Sequence, residues 1–112
     1  ALNSNQKRYI TLETNSVSVK INPYEIMYVE CNDKTLRLQA EKKEITIRYK
    51  ISDLSEILRE YGFIKVHKGY LVNYRYIYSI DKKELTLDNG KLIPISKYRL
   101  AEVKEEYRRL TV

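Results

Sequence analysis

The stretch FIKVHKGYLVN, residues 63–73, begins and ends like buried β-structure but is charged in its middle. Phe63, Ile64, Val66, Tyr70, Leu71 and Val72 suit a strand, whereas Lys65, His67, Lys68 and Gly69 interrupt it. Side chains alternate between the faces of a strand, and Lys68-Gly69 breaks that period. Lys68 is therefore expected to project from a bend and not into a core.

On either side of this stretch, period-2 segments dominate. RYITLE (8–13) and SVSVKI (16–21) flank Thr14-Asn15 as a hairpin. EIMYVE (25–30) and TLRLQA (35–40) flank CNDK, and EITIRY (44–49) follows another short polar turn. YIYSI (76–80), ELTLD (84–88) and KLIPI (91–95) alternate again, with Asn89-Gly90 reading as a type I′ turn. Pro94 cannot donate to a ladder, which places its strand at an edge or near an end. Two helices are expected. One spans about 52–61, with Ser52 or Asp53 as cap, Leu54, Ile57, Leu58 and Tyr61 as its stripe, and Gly62 just past its end. The other is capped by Ser96 and buries Leu100, Val103, Tyr107 and Leu110. The fold class is mainly β: small antiparallel sheets with one internal and one C-terminal helix. Eight or nine such short strands are too few residues for one large barrel.

The chain has 112 residues, enough for one domain. It starts at Ala1 and not Met, and so reads as a piece of a longer protein. No run approaches the ~18 consecutive apolar residues of a membrane span, and no signal-peptide pattern opens it. A single cysteine, Cys31, excludes an internal disulfide and fits a reducing cytoplasm. The net charge is +6, and residues 62–99 carry five of those charges: Lys65, Lys68, Arg75, Lys82, Lys83, Lys91, Lys97 and Arg99 against Asp81, Glu84 and Asp88. Such a cluster is the footprint of a polyanion binder or an ordinary solvated basic face.

Catalytic chemistry is sparse. One histidine and one cysteine leave Cys31/His67 as the sole conceivable nucleophilic pair. No Cys/His/carboxylate cluster has metal-ligand spacing, and glycines scattered at 62, 69 and 90 form no phosphate-cradling loop. Neither enzyme activity, metal nor cofactor is expected. What recurs is basic residues at turns: CNDKT (31–35), VHKGY (66–70) and PISKYR (94–99). In the last, a helix N-terminus with Lys97 and Arg99 makes a natural phosphate site.

FIKVHKGYLVNYRYIYSI followed by LTLDNGKLIPISKYRLAEV resembles the second half of the LytTR domain, the DNA-binding output domain of a class of bacterial response regulators. Phe63, Lys65, His67, Lys68, Gly69 and the run ending in Asn73 match its signature, as do Asn89, Gly90 and the Ile93-Pro94-Ile95-Ser96 start of the last helix. YEIMYVECNDKTLRL and YKISDLSEIL resemble its first half, so the likeness spans nearly the whole chain, residues 1–112. The resemblance implies an elongated β-β-β sandwich that meets double-stranded DNA through inter-strand loops. It implies base contacts from Lys34 or Thr35, with Leu36 also allowed by alignment, and from Lys68 and Lys97. Lys65, Lys83 and Arg99 suit phosphate contacts, which position without reading sequence. It further implies transcription regulation in a two-component system, an N-terminal receiver domain, and a homodimer on tandem half-sites.

His67 is expected to be a structural imidazole hydrogen-bonded under the bend, and Asn73 to tether a turn. Two other readings make different demands. A single-stranded nucleic-acid binder needs Tyr74, Tyr76 and Tyr78, or Tyr70, on one exposed basic face. A protein-interaction module predicts partner binding insensitive to salt.

Overall fold

The computed structural model describes residues 8–112. Its strands form three antiparallel sheets, accompanied by two α-helices. β1 (Ile10–Glu13) and β2 (Ser18–Ile21) make a hairpin. β3 (Ile26–Asn32), β4 (Thr35–Ala40), β5 (Glu44–Arg48), β6 (Phe63–His67) and β7 (Tyr70–Asn73) form the central sheet, in the order β5-β4-β3-β7-β6. β8 (Ile77–Ile80), β9 (Glu84–Leu87) and β10 (Leu92–Pro94) form the third, in the order β10-β9-β8. Helix α1 (Ile51–Leu58) connects β5 to β6, and α2 (Leu100–Thr111) closes the chain. The ten strands among the described residues exceed the expected eight or nine because the 63–73 segment folds back into β6 and β7.

Alternation gives the central sheet two apolar faces. On one, Val29, Leu36, Leu38, Ile47 and Leu71 pack with Leu54 and Leu58 of α1 and with Leu12 and Ile21 of the hairpin. On the other, Tyr28, Ile64 and Val72 pack with Leu85, Leu87 and Ile93 of the third sheet and with Val103 of α2. The result is a stack of three sheets, 39 by 38 by 25 Å, a slab more than a rod. Pro94 lies opposite Glu84 on an edge strand, where its missing N–H costs no ladder bond.

Asn73 joins the layers. It is the one buried polar residue among those described, and its side chain is fully used. Nδ2 donates to the Ile26 carbonyl at 3.0 Å, and Oδ1 accepts from the Arg75 backbone N–H at 3.1 Å. Arg75 in turn donates to the Tyr61 carbonyl at 2.7 Å, with its guanidinium 4.7 Å from the ring centres of both Tyr24 and Tyr74. Asn73 is a tether, as expected, and Arg75 leaves the basic cluster for the scaffold.

Four local expectations are corrected. Asn89-Gly90 does turn the β9–β10 hairpin, but only Gly90 has positive φ, at 90°. The Gly90 N–H bonds the Leu87 carbonyl and the Asn89 side chain accepts from Lys91 N–H, so a longer loop needs one left-handed residue where type I′ needs two. Helix α1 begins at Ile51, so Ser52 and Asp53 lie inside it, and Lys50 offers no side-chain cap. Ile57, expected in its buried stripe, is exposed. Ser96 precedes a 3-10 turn (Lys97–Arg99) and makes no side-chain cap bond, so α2 starts only at Leu100.

Gly62 ends the α1 segment at φ 90°, where a Cβ would lie 2.6 Å from the Tyr74 ring. At Gly69 the same atom would find ordinary contacts, 3.5 Å from the Cys31 carbonyl oxygen. Gly62→Ala should therefore cost about 2–4 kcal/mol from backbone strain and overlap combined, whereas Gly69→Ala should change stability little. Chemical denaturation of both variants beside the parent measures the difference.

Candidate nucleic-acid interface

Three turns converge beside the β6–β7 bend. The first is the two-residue Asp33-Lys34 turn between β3 and β4, with Asp33 at φ 64°. Aspartate is among the few side chains that tolerate this region. The second is Lys68-Gly69, joining His67 to its partner Tyr70. The third is the 3-10 turn Lys97–Arg99.

Two backbone hydrogen bonds lash them together. Cys31 N–H donates to the Gly69 carbonyl at 2.8 Å, binding the first turn's strand to the second turn. Ser96 N–H donates to the Val66 carbonyl at 2.8 Å, binding the third to the second. Val66 is the extra residue of a β-bulge, because Lys65 pairs with Leu71 and His67 with Tyr70. A bulged residue stands outside the ladder, and here its carbonyl serves the neighbouring layer. Lys83 belongs to the same end of the slab, since its carbonyl accepts Ile95 N–H at 2.8 Å.

The expected contact residues can now be placed. Lys34, Lys68, Lys83 and Lys97 are exposed, and none of them forms an ion pair among the described residues. Thr35 is half-buried at the start of β4. Leu36 is fully buried in the core, which removes it as a contact. Lys65 and Arg99 line one shallow cleft of about 320 Å³, shared with Arg59 and Arg109. Arg99 lies 3.7 Å from Glu102, and Arg109 pairs with Glu106. Lys65 thus borders the site instead of standing at its centre.

Behind the first two turns a polar row crosses the central sheet in register: Thr46 on β5, Arg37 on β4, Glu30 on β3, Tyr70 on β7 and His67 on β6. Arg37 pairs with Glu30, whose second oxygen accepts the Tyr70 hydroxyl at 2.9 Å. The carboxylate raises the Arg37 pKa above its usual value. His67 lies edge-on to the Tyr70 ring, centroids 5.8 Å apart, and its Nδ1 accepts the Gly69 N–H at 3.1 Å. The imidazole therefore sits under the bend as expected. Cys31 donates from Sγ to the Asp33 carbonyl at 3.0 Å, a bond within the first turn.

Sequence reasoning missed Tyr98. It lies between Lys97 and Arg99, is 88% exposed, and has Lys97 Nζ 5.7 Å from its ring centre. An aromatic off the α2 apolar stripe and between two cations was the available signal. By contrast, the other tyrosines do not assemble into a stacking platform. Residues 74–76 form a 3-10 turn and not a strand, Tyr70 is engaged with Glu30, and Tyr76 donates to the Tyr24 carbonyl at 3.1 Å. Of the four, Tyr78 alone is exposed.

A mainly β slab that presents clustered cations at tied turns carries the electrostatic footprint of a nucleic-acid binder. The LytTr DNA-binding domain model matches residues 16–108, and the chain belongs to that family. Among solved structures it is similar to a LytTr DNA-binding domain from Bacillus cereus, described as part of a methyl-accepting/DNA response regulator. The two share 26% identity and a TM-score of 0.74, over 89% of this chain and 96% of that one. Comparison with curated proteins gives no significant match. No helix among the described residues is long and apolar enough to cross a membrane.

Burial first, then the hydrogen bond and charge of Glu30, push the Tyr70 pKa up to about 12. The fold thus favours the neutral phenol. Its contribution is complete below the ordinary tyrosine value of about 10 and is lost as pH rises through about 12. Tyr70→Phe should lower stability at neutral pH by about 1–2 kcal/mol and flatten part of the alkaline decline. Melting curves of the two proteins across that range provide the check.

Proposed function

We propose that this chain is a single domain, the C-terminal output part of a longer regulator, and binds double-stranded DNA sequence-specifically. The observation that carries this reading is the pair of backbone hydrogen bonds that hold three cation-bearing turns in one fixed arrangement. Reading a duplex from separate turns requires constant spacing between them, because the groove edges they meet are themselves fixed in B-DNA. In this reading Lys34, Thr35, Lys68 and Lys97 meet base edges. Lys65, Lys83 and Arg99 meet phosphates, which set register without reading sequence. Tyr98 rests against the sugar–phosphate wall beside Lys97.

The similarity to a domain of a response regulator supports an N-terminal receiver. In this reading its phosphorylation promotes pairing of two copies on tandem half-sites. The regulator would act on transcription in the bacterial cytoplasm. Lysine favours guanine O6 and N7, with less selectivity than a two-pronged arginine. Specificity then comes from several modest contacts in combination.

Lys68→Ala should cost about 1–3 kcal/mol on the matched duplex and much less on one already altered at the base pair it reads. Lys97→Ala should behave alike at a different base pair. Neither should shift the melting temperature, since exposed lysines contribute little to folding. Binding of both variants to a selected duplex and its single-base substitutions tests the assignment; uniform weakening across the panel would demote both to phosphate contacts.

Arg99→Ala should instead weaken matched and scrambled duplexes by similar factors. The plot of log K against log salt should become shallower by about one unit, as expected for one lost phosphate contact. A loss confined to a single base pair would reassign Arg99 to base reading.

A further inference from the structure

The bend that presents Lys68 has an unusual support. Gly69 is held on both sides: its carbonyl accepts Cys31 N–H at 2.8 Å, and its own N–H is taken by His67 Nδ1 at 3.1 Å. The second bond exists only while Nδ1 carries a lone pair. The ring that supplies it is fixed in turn by Tyr70, Glu30 and Arg37, each bonded to or packed on the next. Resting on the reading of Lys68 given above, we propose that His67 is a positioning residue for base recognition. Its unprotonated Nδ1 fixes the Lys68-Gly69 turn, and protonation releases the turn and lowers the discrimination made there.

Among the described residues an imidazolium at position 67 forms no ion pair. On its own strand stands Lys65, and on the turn Lys68. The segment docked on Val66 brings Lys97 and Arg99. From β7 comes the Tyr70 phenol, and from β3 the Cys31 thiol and the Glu30 carboxylate. Glu30 is already engaged by Arg37 from β4 and by the Tyr70 hydroxyl. The adjoining turn carries Asp33 and Lys34, one charge of each sign. Protonation would set an Nδ1–H against the Gly69 N–H, two donors facing one another.

Protonation has a second consequence of opposite sign. An added cation near the turns attracts phosphates of any sequence. Acidification should therefore leave non-specific binding level or stronger while matched binding loses ground. The informative quantity is the affinity ratio between a selected duplex and one substituted at the base pair Lys68 reads. A purely structural histidine would change fold stability but would not move this ratio with pH.

The experiment measures that ratio at pH 7.5 and 5.5 at constant salt, on parent, His67→Asn and His67→Ala proteins, with melting curves alongside. Asparagine Oδ1 takes the place of Nδ1 as acceptor and does not titrate. The parent ratio should fall on the order of fivefold on acidification, the net worth of one hydrogen bond. His67→Asn should keep the neutral-pH ratio at both values, and His67→Ala should be low at both. Parallel pH profiles for parent and His67→Asn overturn the proposal, as does a low ratio in His67→Asn at both values. Should His67→Ala fail to fold, the parent and His67→Asn pair still decides. Lys68→Ala separates the two readings: if it retains discrimination at its base pair, the base contact has failed. If it loses discrimination while the His67 variants do not, only the positioning role has.

Discussion

The carbonyl of Val66 is where the layers of this domain meet its working edge. Strand β6 belongs to the central sheet, yet the bulge at Val66 turns one carbonyl out of the ladder and gives it to Ser96. An unmatched carbonyl beside a fully buried side chain would be costly. The lead-in to α2 removes that cost and is itself fixed by doing so. One hydrogen bond of this kind contributes only about 1 kcal/mol. Its importance is geometric, since α2 and the third sheet could otherwise pack at slightly different offsets and carry Lys97 with them.

A second constraint is the division of the basic residues between fold and surface. Arg75 is consumed by the Tyr61 carbonyl and two tyrosine rings, and Arg37 by Glu30. Both are arginines whose planar forks suit fixed, multi-point bonding. The cations at the turns that are exposed and form no ion pair among the described residues, Lys34, Lys68, Lys83 and Lys97, are all lysines. Their mutual repulsion is small in water and is screened by salt. It is a modest cost for a surface whose counter-charge would arrive with its partner.

What the sequence made legible follows the range of the forces involved. Strand positions, the internal helix and the bend at Lys68-Gly69 were readable because period-2 patterning and glycine act locally. The resemblance carried by VHKGYLVN and IPISKYR named the family that the domain model matches. The bulge at Val66 was not readable, because it is visible only in the pairing of two strands. Neither was the row from Thr46 to His67, whose members lie on five strands and share a register the sequence does not display. Leu36 shows the limit in the other direction. Alignment allowed it as a contact, whereas alternation from buried Leu38 already placed it on the core face. The cap assigned to Ser96 failed for a related reason: a 3-10 turn over Lys97–Arg99 intervenes, so α2 starts only at Leu100.

Recognition by turns poses an entropic problem that recognition by a helix does not, since loops are ordinarily the mobile part of a fold. In the proposed reading that problem is met by turns that are short and tied. Asp33-Lys34 and Lys68-Gly69 have two residues each, and the backbone on both sides is paired in the central sheet. Little backbone freedom remains to be lost on binding, so the ordering cost falls mainly on the lysine side chains, about 0.5–1.5 kcal/mol for each one immobilised. That is comparable to what a single lysine–base contact returns. In the proposed reading no one turn binds with useful selectivity alone. Selectivity there would come from all three acting at once, which returns the burden to the bonds from Ser96 and Cys31 that hold the turns at a common spacing.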